Sequence, residues 1–197
     1  LGLDRPLFIQ YVDWMANFLT GNMGFSFADR QPVLDIISQR LGPTLLLMSI
    51  SLIVAYATAI PLGIIAALHK NSKLDRAIIG WTFFNVSFPP FFLGLALIYI
   101  FAVELDLLPT GGMEVLGMEN DGIDLAEHLV LPVIVMASQF SANMIRYVRA
   151  SVLEVLGQNY IRTALAKGLK WRQILRFHVL RNSLIPIVTV IGTDLPK

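Results

Sequence analysis

Residues 45–68 read LLLMSISLIVAYATAIPLGIIAAL, and residues 77–103 read AIIGWTFFNVSFPPFFLGLALIYIFAV; neither stretch holds an Asp, Glu, Lys, Arg or His. A helix needs about 20 consecutive apolar residues to cross roughly 30 Å of hydrocarbon, and each stretch exceeds that length. A buried core helix of a soluble protein accounts for one such run but not for two in a chain of 197 residues. Leu129 to Ile145 is a third uncharged run; with part of the Arg146 to Leu156 flank it makes a long helix whose end emerges into water. Ser183 to Gly192 begins a fourth, interrupted by Asp194 and Pro196. The expected fold class is therefore all-α, a polytopic transmembrane helical bundle. Its spans are expected at 44–68, 77–103 and 128–150, with a further one starting over 183–197 and a loop over 151–182 between the last two.

Composition agrees. Hydrophobic residues make up 55% of the chain, charged residues only 15%, and the mean hydropathy is +0.66. Soluble domains carry about 25% charged residues. There is no cysteine, which excludes disulfides, thiol catalysis and thiolate metal sites. His69, His128 and His178 are too scattered to suggest a metal site, and no cofactor is expected. The chain starts at Leu1 without a signal peptide and stops soon after an apolar segment begins, which reads as an internal piece of a longer protein.

The connecting segments set orientation. His69 to Arg76 carries Lys70, Lys73 and Arg76 against Asp75 alone. Arg146 to Arg181 carries eight Lys or Arg residues against Glu154 alone. Between them, Glu104 to Glu127 holds seven acidic residues and no Lys or Arg. Basic loops stay in the cytoplasm, so the acidic segment is expected outside. Alternation of three spans demands the same pattern. Residues 1–43 then form an extracytoplasmic segment, and an odd number of spans, one in the simplest case, is expected ahead of Leu1. Within 1–43, Phe8, Tyr11, Val12, Met15, Phe18 and Leu19 recur at helical spacing. This suits either an amphipathic helix at the outer interface, with Tyr11 and Trp14 as anchors, or a small helix packed on the bundle.

Inside the spans, Ala55, Ala59 and Gly63 recur every four residues, a spacing that lets helix backbones approach closely. The stretch Ser87, Phe88, Pro89, Pro90 is the strongest helix disruption, because each proline removes a backbone donor. Freed carbonyls at membrane depth are tolerated where protein or a water-filled cavity satisfies them. These four residues are therefore candidates either for a structural kink or for the wall of a translocation path. Gln139 and Asn143, one turn apart on one face, either bond across helices or face such a path. MENDGID at 118–124 hints at a calcium loop, but Gly117 and His128 stand where that loop requires carboxylates.

The basic segment is the most specific. Residues 146–186 read RYVRASVLEVLGQNYIRTALAKGLKWRQILRFHVLRNSLIP. Tyr160 to Lys167 suits a short helix ended by a left-handed Gly168, and Trp171 to Leu180 restarts helical spacing with Ile174, Leu175 and Leu180 apolar. Two short helices joined at a glycine form a compact docking knob; a basic loop that binds anionic headgroups is the plainer alternative. The order RTALAKG, a basic amphipathic stretch and LRNSLIP resembles the EAA loop of ABC importer permeases, in particular the dipeptide/oligopeptide/nickel permease family. LGLDRPLFIQYVDWM, GNMGFSF, QPVLDIISQRLGPTL, IPLGIIAALHKNSKLDR, SFPPFFLGLALIYIFA and HLVLPVIVMA continue the likeness in order over nearly the whole chain.

That resemblance implies a permease of the type I importer kind in a bacterial inner membrane, with six spans in the full subunit. Its implied partners are cytoplasmic ABC ATPase subunits, a second homologous permease, an extracytoplasmic solute-binding protein and the lipid bilayer, and not nucleic acid. The chain itself is not expected to be an enzyme, ATP hydrolysis falling to the ATPase subunits. It places Arg162, Thr163 and Ala164 at the EAA positions and Gly168 at the loop glycine. Tyr160, Ala166, Lys167 and Leu169 complete the implied coupling region, in which Gly168 sets the angle to the next helix. Arg162 departs from the usual acidic residue and Arg181 from the usual closing proline, both as in the peptide branch. The implied cargo is short peptides, or nickel chelates and related small solutes. From the residues alone, an ion-coupled secondary transporter and a non-transporting membrane scaffold stay open, although the uncharged runs lack the ionisable groups that ion-coupled carriers place there.

Overall fold

The computed structural model describes residues 5–113 and 122–194. Glu114, Glu119 and Asp121 of the acidic segment, most of the 118–124 stretch, and the end of the expected last span at 195–197 lie outside them. Among the described residues the architecture is all-α, with a single isolated bridge between Phe25 and Pro32. The chain divides into two compact units, residues 1–47 and 48–197.

In the first unit, helix α1 (Leu7–Leu19) starts after Pro6, and none of its residues is buried. Trp14 stacks on Phe18 with ring centroids 5.4 Å apart, and Arg5 pairs with Asp13 at 2.8 Å. A short reversal through Gly21 and Gly24, both left-handed, leads to α2. Helix α2 (Val33–Leu68) begins well before the residue 44 expected for its span, so Gly42 and Pro43 lie within it. Just after that proline, the Thr44 hydroxyl donates back to the Arg40 carbonyl at 2.8 Å.

In the second unit, α3 (Lys73–Ser87) starts on Ser72, whose hydroxyl accepts the Asp75 N–H at 3.2 Å. The apolar run 77–103 is broken at the proline pair, where the sequence offers a kink. After Ser87 the chain turns, and α4 (Pro90–Ile98), extended by a π-helical turn Tyr99–Glu104, leaves at 96° to α3. The tandem prolines are the cause. A residue before proline is pushed out of the helical region, and both Phe88 and Pro89 precede one. Phe88 accordingly sits at ψ 130° and Pro89 at ψ 136°, while Pro90 opens the new helix at a position where its missing N–H costs nothing.

Helix α5 (Gly122–Leu156) contains Pro132 and runs for 35 residues. At 1.5 Å per residue that is about 52 Å, well beyond the hydrocarbon thickness, so its basic end projects. Helix α6 (Asn159–Ala166) follows. The short helix expected from Trp171 to Leu180 does not stop before the last apolar run. Instead α7 (Trp171–Ile174) passes through a π-helical turn, Leu175–Leu180, directly into α8 (Arg181–Asp194). Leu180 and Arg181 contain no breaker, and the apolar spacing carries through, burying Ile174, Val179 and Ile187. Counting this continuous piece, three helices among the described residues are long and apolar enough to cross a membrane, besides the bent α3–α4 pair.

The core of this unit lies toward the basic end. Ala59, Ala66, Ile78, Ile145, Val148, Val152, Ile161, Ala164, Ile174 and Ile187 form one buried cluster that draws on α2, α3, α5, α6, α7 and α8. The small-residue stripe of α2 is part of this packing: Ala55 and Ala59 are fully buried, and a Cβ on Gly63 would lie 2.6 Å from the Val148 Cβ and 2.9 Å from the Ile145 carbonyl oxygen.

Two polar contacts hold α3 against α5. Arg149 donates from Nε to Asp75 Oδ1 at 2.7 Å and from Nη2 to Oδ2 at 2.8 Å. Gln139 donates from Nε2 to the Asn85 carbonyl at 3.0 Å. Asp75 and Asn85 are ten residues apart on α3, Arg149 and Gln139 ten apart on α5 in the opposite order. The helices are therefore antiparallel and fastened at two points about 15 Å apart. The Arg149 guanidinium holds the Asp75 carboxyl below the ordinary carboxylate range against the opposing effect of burial, helped by the Asn71 N–H at 2.8 Å.

Gly63→Ala should destabilise the purified protein by about 1–3 kcal/mol, the usual result of overpacking. Gly80→Ala, where a Cβ meets nothing within 4 Å, should not, and thermal unfolding in detergent compares the two. Arg149→Gln should cost about 3 kcal/mol because it strands a buried carboxylate, and adding Asp75→Asn should recover part of that loss in a double-mutant cycle. Since folding lowers the Asp75 pKa, the contribution of the pair is present above the unfolded value of 3.8 and is lost only as pH falls through the lower folded value. A melting temperature of the wild type that drops between pH 8 and pH 6 through this pair would contradict the assignment.

Candidate functional site

The elbow between α6 and α7 is built by local rules. Gly168 has φ +76°, as its position after a helix predicts. Its N–H donates to the Leu165 carbonyl at 2.9 Å, and the Leu169 N–H donates to the Ala164 carbonyl at 3.3 Å. These are the two bonds of a Schellman cap, which close the orphan carbonyls of the helix end. On the far side of the elbow, Gln173 reaches back to accept the Lys170 N–H at 3.1 Å, starting α7. Space around Gly168 is open, so the constraint there is the backbone conformation alone.

The elbow is anchored from inside. Ile161 and Ala164, one turn apart, are buried in the core cluster, which makes Ala164 the buried member of the eight sequence-derived coupling residues. The other seven, Tyr160, Arg162, Thr163, Ala166, Lys167, Gly168 and Leu169, are exposed. The Thr163 hydroxyl donates back within its own helix to the Asn159 carbonyl at 3.1 Å. Tyr160 accepts a hydrogen bond from the Asn182 amide at 3.2 Å, tying α6 to α8. Sequence reasoning passed over Leu165 and Trp171, which flank the elbow at 50% and 48% exposure. The signal for them was present, since both break the polar pattern of the segment.

The candidate path residues are distributed rather than gathered. Ser87 donates to the Phe83 carbonyl at 2.8 Å, and Phe88 lies between Phe84 and Phe92, at 4.6 and 5.8 Å between ring centroids. Pro89 is exposed at the bend, and Pro90 lines a cavity of about 480 Å³ between α4 and α5. That cavity is walled chiefly by apolar groups such as Phe91, Leu131 and Met136, with the buried His128 at its edge. Its Nδ1 lies 2.8 Å from the Asp124 carbonyl. Asn143 lines a different cavity of about 540 Å³, together with Met48, Leu52, Phe140 and Tyr147. Its Oδ1 accepts from Arg146 at 2.6 Å. Gln139 takes the first of its two sequence readings, bonding across helices to Asn85.

Asp75 and Arg149 were not among the sequence candidates. Each sits in a basic stretch where it reads as one more surface charge. The available hint was that Asp75 is the lone acid of its loop, three residues after a serine suited to cap a helix. Helix α8 adds two fastenings to α5: Ser151 donates to the Ser183 carbonyl at 3.1 Å and Tyr147 to the Pro186 carbonyl at 3.3 Å.

Known proteins place this geometry. The oligopeptide transport system permease protein AppB of Bacillus subtilis is 41% identical over 197 residues, covering 100% of this chain and 62% of the relative. The glutathione transport system permease protein GsiC of Escherichia coli K12 is 39% identical over 192 residues, 98% of this chain and 60% of the relative. The chain thus spans about three fifths of the length of these curated relatives. Residues 59–197, which include the bend, both cavity walls on α5 and the elbow, match the family described as binding-protein-dependent transport system inner membrane component, and the chain belongs to that family.

Proposed function

We propose that this chain forms the membrane core of a permease subunit in an ATP-driven bacterial importer, with short peptides as cargo. Family membership supports the transport class. The names of the relatives, an oligopeptide and a glutathione permease, support the peptide class over nickel chelates. ATP hydrolysis belongs to cytoplasmic ATPase subunits; a second permease and an extracytoplasmic solute-binding protein complete the assembly.

The observation that carries this reading is the elbow: exposed at its tip, sealed by its Schellman cap, and rooted in the core through Ile161 and Ala164. An ATPase cleft that grips Tyr160, Arg162, Thr163, Lys167 and Leu169, with the flanking apolar Leu165 and Trp171, moves a rigid body. Only Gly157 and Gln158 separate α6 from α5, so displacement passes directly into the long helix. Because Arg149 and Gln139 fasten α5 to α3, α3 follows, and with it the bend at Phe88 to Pro90. Motion at the elbow is thereby delivered to the walls of the two cavities. Those walls are apolar with few charges, which gives a passing peptide no deep electrostatic well in which to lodge.

Gly168→Val tests the coupling step, because a β-branched residue in the left-handed region costs about 1–2 kcal/mol. Gly168→Asn, which tolerates that region, serves as the conservative control. In proteoliposomes carrying the full complex and its binding protein, the valine variant should assemble but transport less peptide per ATP hydrolysed, and the asparagine variant should retain most of the coupling. Normal transport and normal binding-protein stimulation of ATPase activity in the valine variant would rule the proposal out.

A further inference from the structure

A groove of about 620 Å³ runs along the start of α3 where it meets α5. Its two halves differ chemically. At one end are Arg76 and Arg149, at the other Ile79, Gly80 and Phe83. The change from charged to apolar falls at Ala77, where the basic 69–76 segment gives way to an uncharged run. Such a boundary is where the phosphates of a leaflet meet its acyl chains.

The charges at the groove do not cancel. Arg149 pairs with Asp75 through Nε and Nη2. Arg76 donates to the Ser72 carbonyl at 3.4 Å, and no carboxylate among the described residues pairs with it. Arg146 lies over the Phe83 ring at 5.4 Å, bringing a third guanidinium to a residue that lines the groove. Asp75, the one acid lining it, is already engaged. Phe83 stays 57% exposed with the Arg146 guanidinium over its ring, and the missing side chain at Gly80 leaves a notch with nothing within 4 Å.

We propose that this groove binds an anionic phospholipid of the inner leaflet, its phosphate at Arg76 and Arg149 and the start of an acyl chain over Gly80 and Phe83. Basic pockets between spans on the cytoplasmic side bind lipid headgroups in this way. A free anion would use the arginines but gain nothing from the apolar half. The assignment rests on the basic segments facing the cytoplasm and not on the coupling role of the elbow, so the two stand or fall separately.

The test uses the full-length permease in its complex, reconstituted in nanodiscs of phosphatidylcholine mixed equally with phosphatidylglycerol, with retained lipid counted by native mass spectrometry after extraction. The wild type should keep phosphatidylglycerol in preference to phosphatidylcholine. Arg76→Gln should lower that retention about fivefold, the worth of one basic residue near an anionic surface. Gly80→Leu should lower it as well with every charge in place, because it fills the notch while its backbone is free to accept a side chain. Millimolar glycerol phosphate should not displace the lipid. Equal retention of both lipids, undiminished retention in both variants, or displacement by glycerol phosphate would overturn the proposal. Failure of Gly80→Leu to assemble with the second permease would do so too, by giving the groove to a protein interface.

Discussion

In hydrocarbon a backbone carbonyl must find its donor inside the protein, because no water is there to supply one. That constraint governs this chain. It makes every span a helix, and it makes the one place where a span breaks the most demanding. A helix continuing past Ser87 would satisfy the Asn85 carbonyl with the N–H of residue 89, but residue 89 is proline and has none. The Gln139 amide takes its place from α5. The bend is thus a structure shared between two helices, stable only while α5 lies alongside.

The same pairing explains how the two ends of the bundle are related. The Arg149–Asp75 contact sets the register of α3 on α5 at the basic end, and Gln139–Asn85 repeats it three turns deeper. Two fastenings prevent the rotation that one would allow. Small residues do the corresponding work between α2 and α5, where Gly63 admits Val148 to backbone contact. Hydrogen bonds from Ser151 and Tyr147 to carbonyls of α8 complete the set. Within lipid, where apolar side chains gain little from burying one another, close packing and hydrogen bonds of this kind are what hold helices together.

The largest buried cluster sits at the basic end rather than midway along the spans. Soluble-protein forces act there, since part of that end projects into water, and apolar burial draws Ile161 and Ala164 of α6 into the cluster. The elbow is in this respect a small globular element grafted on membrane helices. Its tip is exposed while its root, Ile161 and Ala164, is buried in the cluster.

Much of this was legible in the residues alone. Uncharged runs longer than a bilayer is thick point to membrane segments, charge asymmetry between loops orients them, and Gly168 after a short amphipathic stretch marks a helix stop. These are local consequences of solvent and backbone sterics, and they survive any tertiary arrangement. The prolines at 89 and 90 announced a disruption but not its angle or what satisfies it, because the donor lies 54 residues away. Asp75 and Arg149 carry no local sign of partnership across 74 residues, and nothing before Arg181 says whether a helix will pause there or continue. Sequence determined which segments enter the membrane and where the elbow turns; tertiary structure decided which side chains meet, since pairing depends on the register of helices that no local rule specifies.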